Sequence, residues 1–372
     1  MKIKILISLI VILSLSFFLE DFFDTQTQIL EDKNNIVSAS KSSGDIIQKE
    51  QIISSGDINI EKPVDTFIKP TGSEKSNIEN FKMTYQIKTE SGENYSCKVD
   101  LIGTENYSTF KGISTFRGNN YRENASFGNV NVTENTLEKI WTKTIGKTDK
   151  WTGIGWNGQP SIITWDEEVK KQMNIYEKFK EKENFTEVIY GGLDSYIHFY
   201  DLETGEETRK KIKIPSSIKG SVTLDPRGYP LLYVGQGIDT NSGDVVKMGY
   251  YIFSLIDGKE LYFINGRDKY GYFNWGAFDG NPVIDAKTDT MILAGENGVI
   301  YIVSLNTNYD KENGKISINP TTTRYKYTIN GKAAGSENAM TIYRNYAYFI
   351  NNHGYIQCLD LSTLTPVWLH YM

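Results

Sequence analysis

A segment that recurs about every fifty residues constrains this chain more than any other feature. Four stretches read alike: Tyr196-Ile-His-Phe-Tyr-Asp-Leu-Glu-Thr-Gly205, Tyr251-Ile-Phe-Ser-Leu-Ile-Asp-Gly258, Ile300-Tyr-Ile-Val-Ser-Leu-Asn-Thr-Asn308 and Ile356-Gln-Cys-Leu-Asp-Leu-Ser-Thr-Leu364. With Asp201, Ser254, Ser304 and Asp360 taken as equivalent, the spacings are 53, 50 and 56 residues. Short strands and Gly-rich turns repeated at this period predict a series of small sheets, whose usual closed form is a β-propeller. Architecture of this kind does not by itself name a reaction.

Each predicted unit has the same order of parts. The units run over residues 141–215, 216–270, 271–329 and 330–372. A Gly- or Ser-bearing inner segment opens each one: Gly155-Trp-Asn-Gly-Gln-Pro-Ser-Ile-Ile163, Gly220-Ser-Val-Thr-Leu224, Gly276-Ala-Phe-Asp-Gly-Asn-Pro-Val-Ile284 and Gly335-Ser-Glu-Asn-Ala-Met-Thr-Ile342. Glycine suits inner strands that crowd near an axis, because no Cβ intrudes. An apolar strand, a tight turn, the recurring segment and a polar fourth strand follow. Asp166 to Glu183 interrupts the first unit, with Val169, Met173, Tyr176 and Phe179 at near-helical spacing, and predicts a short amphipathic helix on the rim.

Upstream, the texture differs. Met1-Lys-Ile-Lys4 is a basic lead, and Ile5 to Leu19 is an apolar and Ser run stopped by Glu20 and Asp21. Fifteen residues suit a signal region better than a full span, which needs about twenty. No small-x-small cleavage site follows, so residues 1–23 read as a signal anchor or as a signal peptide cut after Asp24. Both place the rest of the chain outside the membrane, at the cell surface or secreted. Residues 24–82 contain only Phe67 and Phe81 as aromatics and read as a disordered linker. Residues 83–140 carry lead-in strands that close the ring or form a small hairpin.

Net charge is −6, which argues against a nucleic-acid partner. The densest basic stretch, Arg209-Lys-Lys-Ile-Lys213, reads as a solvated strand edge. The two cysteines, Cys97 and Cys358, stand far apart in sequence and outside any metal-type spacing. They predict two isolated thiols. His198, His353 and His370 lie in a strand, a turn and the last strand, away from any nucleophile motif. Asp279, Asp285 and Asp289 cluster without calcium-loop spacing and read as turn and strand-exit residues.

These residues resemble the pyrroloquinoline-quinone-like (PQQ-like) β-propeller repeat, whose blades carry a strand of the type Leu-Tyr-Ala-Leu-Asp-Ala-x-Thr-Gly followed by Trp. Ile197 to Gly205 matches best, and Ile356 to Trp368 keeps the Trp. Thr115-Phe-Arg-Gly-Asn-Asn-Tyr-Arg122, Met173-Asn-Ile-Tyr176 and Leu224 to Gly235 resemble uncharacterised surface proteins of Gram-positive bacteria with this fold. The resemblance covers residues 109–372 and implies an all-β propeller of seven or eight blades, against the four counted here, hence an incomplete ring and a truncated coding sequence. It also implies, for the enzymes of the wider family, a quinone under a vicinal disulfide and over a Trp, with calcium held by Glu, Asn and Asp. This chain has no adjacent Cys pair. Trp156 or Trp275 could stack a ring, yet such Trp residues commonly pack between blades.

The expectation is therefore an exported, membrane-tethered, non-catalytic propeller that binds a protein or cell-wall ligand. No cofactor is expected, with PQQ and calcium left open. The alternatives are a quinone- or calcium-dependent oxidoreductase, a surface hydrolase, or a non-functional fragment. A ligand funnel is expected where the inner-strand starts converge: Trp156, Asn157, Lys219, Asn274, Trp275, Glu337 and Asn338. No catalytic or metal-binding residue is assigned.

Overall fold

The computed structural model describes residues 69–92, 95–101, 107–155 and 158–372. The N-terminal lead and most of the linker lie outside these residues. Among the described residues no helix is long and apolar enough to cross a membrane.

Four antiparallel meanders follow one another along the chain. The first sheet contains Ser161–Thr164, Thr186–Gly191, Tyr196–Asp201 and Ile212–Lys213, with Gly112–Ile113 added beside its first strand. The second contains Thr223–Leu224, Leu231–Gly235, Gly249–Ser254 and Glu260–Asn265. The third contains Val283–Asp285, Thr290–Ala294, Val299–Ser304 and Thr321–Thr328. The fourth contains Thr341–Tyr343, Tyr346–Ile350, Tyr355–Asp360 and Thr365–Tyr371. In each, the third strand ends on one of the four equivalent residues, Asp201, Ser254, Ser304 and Asp360. The chemistry explains two of these stops. Asp201 Oδ2 accepts the Thr204 amide at 2.9 Å, and Asp360 Oδ1 accepts the Ser362 amide at 2.8 Å. A carboxylate that satisfies turn amides competes with further strand pairing.

In the first three sheets the second and third strands are buried on both faces. Ile197 and Phe199 face the second sheet, in a cluster with Leu232, Val234, Tyr251 and Phe253. Tyr233, Tyr250 and Ile252 face the third sheet. Ile300, Ile302 and Tyr325 of the third sheet pack with Ala347, Phe349 and Leu359 of the fourth. Successive sheets thus stack face to face, which is consistent with a propeller.

Several expectations need correction. The predicted rim helix is two short helices, Glu167–Gln172 and Glu177–Lys180. Asp166 caps the first by accepting the amides of Glu168 and Val169. The chain is extended at Met173 and again at Tyr176, whose amide bonds Thr208 O at 2.8 Å. That break turns Ile175 inward and leaves Tyr176 exposed, while Val169, Met173 and Phe179 are buried as expected. Thr84–Thr89 forms no lead-in hairpin; it pairs antiparallel with Thr321–Thr328 as the outermost strand of the third sheet. Residues 69–82, assigned by composition to the linker, pack on the fourth sheet: Ser76 is buried and Phe81 meets Tyr355 edge to face. The basic stretch at 209–213 splits. Arg209 is 1 % exposed and bonds Glu187, while Lys211 and Lys213 remain exposed.

Residues 114–122 run across the inner ends of the last three sheets. Ser114 O accepts Leu224 N at 2.7 Å, and Asn120 O accepts Ile342 N at 3.0 Å. Arg122, buried, donates to Met340 O (2.9 Å), Asn281 O (3.0 Å) and Phe116 O (3.1 Å). Burial among carbonyls draws its guanidinium down to about 10.

Candidate functional site

Three inner segments place a polar side chain at the same position: Lys219, Asp279 and Glu337 each stand just before a Gly or Asn that leads into the inner strand, and in the sequence Asn157, outside the described residues, holds the same register. The backbones there approach closely. A Cβ on Gly220 would overlap the Asp279 carbonyl oxygen, and one on Gly280 would overlap the Asn338 carbonyl oxygen. Glycine at these points lets Lys219, Asp279 and Glu337 converge.

A cavity of about 360 Å³ opens at this convergence. Phe116, Ala339 and Ile350 form its apolar wall; Asp279, Asn281, Glu337, Asn338 and Asn352 form its polar wall. Glu296, from the hairpin between Ala294 and Val299, completes a carboxylate cluster. One oxygen each of Asp279, Glu296 and Glu337 lies within 4.8 Å of the others.

The hydrogen bonding is incomplete where burial is deepest. Asp279 is 5 % exposed and Glu296 is 8 % exposed. Asp279 Oδ2 receives Lys219 Nζ at 3.0 Å, and Glu296 Oε2 receives Trp275 Nε1 at 2.8 Å. Asp279 Oδ1 and Glu296 Oε1 are buried with no hydrogen-bond partner among the described residues. Leaving such oxygens unmade is costly. Burial pushes the Glu296 carboxyl up to about 7, reinforced by the neighbouring Asp279 and Glu337. Burial also raises Asp279, against the pull of Lys219.

Among the residues expected in the funnel, the structure brings Lys219, Trp275, Glu337 and Asn338 around this centre. Asn274 is exposed beside Trp275. Trp156 and Asn157 lie outside the described residues. The sequence reading missed Asp279 and Glu296. Asp279 was grouped with Asp285 and Asp289, which do serve turns: Asp285 accepts the Lys287 amide and Asp289 accepts the Thr307 amide. The repeat register held the missing signal, since Asp279-Gly-Asn-Pro-Val283 aligns with Asn157-Gly-Gln-Pro-Ser161.

The donor set is all oxygen, which selects hard cations over zinc or copper. Calcium takes oxygens at about 2.3–2.6 Å, so one ion can touch three oxygens spread no farther than about twice that length. The three clustered carboxylates fit such a cation. They do not fit the quinone implied by the resemblance. That cofactor is itself a polycarboxylate, and it would face a wall of three acids offset by the Lys219 ammonium. The cysteines are free and separate, with Cys358 buried and Cys97 half-buried.

The sequence matches no protein-family profile and no curated protein. Among solved structures, one similar chain is a europium-containing methanol dehydrogenase, 11 % identical with a TM-score of 0.37. The alignment covers 62 % of this chain and 53 % of that one, so the chain spans about half the length of that structure. A likeness of this size decides neither fold family nor chemistry, which rest on the residues described above.

Proposed function

We propose that this chain is a non-catalytic binding module of the propeller type whose ligand seat requires a divalent cation, calcium first. The observation that carries the reading is the pair of buried, unpartnered carboxylate oxygens on Asp279 and Glu296 beside an open cavity. Three carboxylates leave calcium, which takes six to eight oxygens, with coordination positions for a ligand. Asn338 and Asn352 line the approach with amides, and Phe116 and Ile350 offer an apolar wall. The basic lead and apolar run of residues 1–19 support display outside the membrane.

Thermal unfolding of the full chain against calcium, with magnesium as control, tests this. Binding at one hundred times Kd stabilises by about 2.7 kcal/mol. Calcium is expected to raise Tm in the wild type and not in Asp279→Asn or Glu296→Gln. No rise at millimolar calcium or magnesium overturns the reading.

One observation favours a second reading. A carboxyl held at about 7 is suited to acid–base work, so Glu296 could act as a general acid in a surface hydrolase. Calcium titration separates the two, because a ligated Glu296 is ionised and cannot donate a proton.

A further inference from the structure

The acidic pocket has a counterpart on the far flank of the first sheet. Strand Tyr196–Asp201 turns Ile197 and Phe199 toward the second sheet, so Tyr196, His198 and Tyr200 face the other way, toward the two-stranded hairpin Lys147–Thr152. His198 and Tyr200 on that face are buried beneath residues 141–153: Trp141 packs on Tyr200 and donates its indole N–H to Leu202 O at 2.9 Å. The hairpin Lys147–Thr152 is tied to the sheet by the Thr148–Ser195 hydroxyl pair at 2.7 Å.

This arrangement gathers lysines from two distant parts of the sequence. Lys211 Nζ stands 3.9 Å from the Tyr196 ring centroid, and Lys213 Nζ stands 5.8 Å from it. Lys143 lies 5.6 Å from the Tyr200 ring, and Lys150 lies 5.4 Å from the Trp151 ring. Lys143, Lys147, Lys150, Lys211 and Lys213 are all exposed. None of them has an ion-pair partner within 4.0 Å among the described residues, whereas Lys178 and Lys182 nearby in sequence do. Of the acids on the same segments, Asp149 and Glu207 are exposed, Glu206 is paired with Lys178, Asp201 and Glu203 are paired with Lys182, and Asp194 is bonded to His198. A cationic face on a chain of net charge −6 is a local feature, with the sign opposite to the whole.

We infer that this flank docks a flexible polyanion whose charges are phosphates set along a polyol or sugar chain. Lysine serves phosphate as a point charge, without the planar fork that arginine uses to read a base. The Tyr196 ring is already covered by the Lys211 ammonium, so that ring is not a free platform for base stacking. Exposed hydroxyls of Thr142, Thr144 and Thr152 run among the lysines and suit a polyol backbone. These residues are separate from those of the carboxylate pocket.

The test measures binding of the detergent-solubilised full chain to poly(glycerol phosphate), with double-stranded DNA and heparin as comparison probes. The expected result is binding at low salt that weakens steeply as salt rises. Replacing Lys147, Lys150, Lys211 and Lys213 together by Gln is expected to weaken it at least tenfold and to flatten the salt dependence. All four side chains are exposed, and an unchanged calcium-free Tm confirms that the variant folds. Glu296→Gln is expected to leave polymer binding unchanged. Absence of binding by the wild type, or equal binding by the Gln variant, overturns the inference. Equal or tighter binding of DNA or heparin overturns the commitment to a polyol phosphate.

Discussion

Two buried glutamates in this molecule stand in opposite conditions. Both receive an indole N–H at 2.8 Å, Glu187 from Trp165 and Glu296 from Trp275. Glu187 also receives Arg209 through Nε at 3.0 Å and Nη2 at 2.7 Å, and the Thr208 hydroxyl. Its charge and its lone pairs are matched by one sheet and the loop beside it. Among the described residues Glu296 has no cation of its own and keeps one oxygen unpartnered, and it looks onto Asp279 and Glu337. A saturated carboxylate holds a fold together. A starved one weakens the fold until something positive arrives, which is the physical signature of a site.

The widest test of that contrast is to starve the saturated member. Arg209→Met leaves Glu187 fully buried without its partner, and losing one partner of a buried pair costs about 3–5 kcal/mol. Urea unfolding is expected to show this loss equally with and without calcium. A loss below about 1 kcal/mol, or a loss that calcium repairs, would erase the distinction between the two glutamates.

A smaller effect lies in the pH dependence of the cation-free protein. Glu296 sits at about 7 when folded, against 4.5 as its ordinary value. The folded state then holds this proton more firmly than the unfolded chain does. The stability it contributes is fully present below about 4.5 and is lost as pH rises through 7. The shift corresponds to about 3 kcal/mol at most. Asp279, also raised by burial, adds in the same direction. Urea midpoints measured in chelator between pH 4.5 and 8 are expected to fall, and Glu296→Gln is expected to flatten the curve. Calcium displaces the proton, so affinity should rise with pH while the decline in stability shrinks. An identical slope in Glu296→Gln would assign the titration to another group.

The architecture was more legible in the sequence than the site, and particular residues show why. The recurrence of Asp201, Ser254, Ser304 and Asp360 marks the ends of four third strands, because strand length and turn chemistry are local. The segment Thr115 to Arg122 could be quoted as unusual, yet its work was invisible: Arg122 reaches carbonyls more than 150 residues away. Arg209 reads as one cation among lysines, and only its hydrogen bonds to Glu187 account for its place inside. Glu296 looks like an ordinary hairpin residue in Gly295-Glu-Asn-Gly298. Its meaning comes from Asp279 and Glu337, which belong to other inner segments. Burial and charge proximity of this kind are properties of the assembled sheets, and no period in the sequence encodes them.

The finest test concerns Lys219, the cation already present at the starved site. Its Nζ lies 3.0 Å from Asp279 Oδ2, and its side chain is 20 % exposed. It offsets part of the acidic charge and competes with an incoming metal for the same carboxylate. Lys219→Met removes that competitor. Without calcium the variant is expected to be less stable by about 1 kcal/mol, since Asp279 loses its partner. With calcium it should bind more tightly than the wild type, by roughly five- to tenfold, the equivalent of about 1 kcal/mol. Calorimetric titration of the two proteins at pH 7.5 reads both effects. Weaker calcium binding in Lys219→Met would mean that the ammonium organises the site. The contrast with Glu187 would then narrow, because each carboxylate group would carry a cation that its geometry depends on.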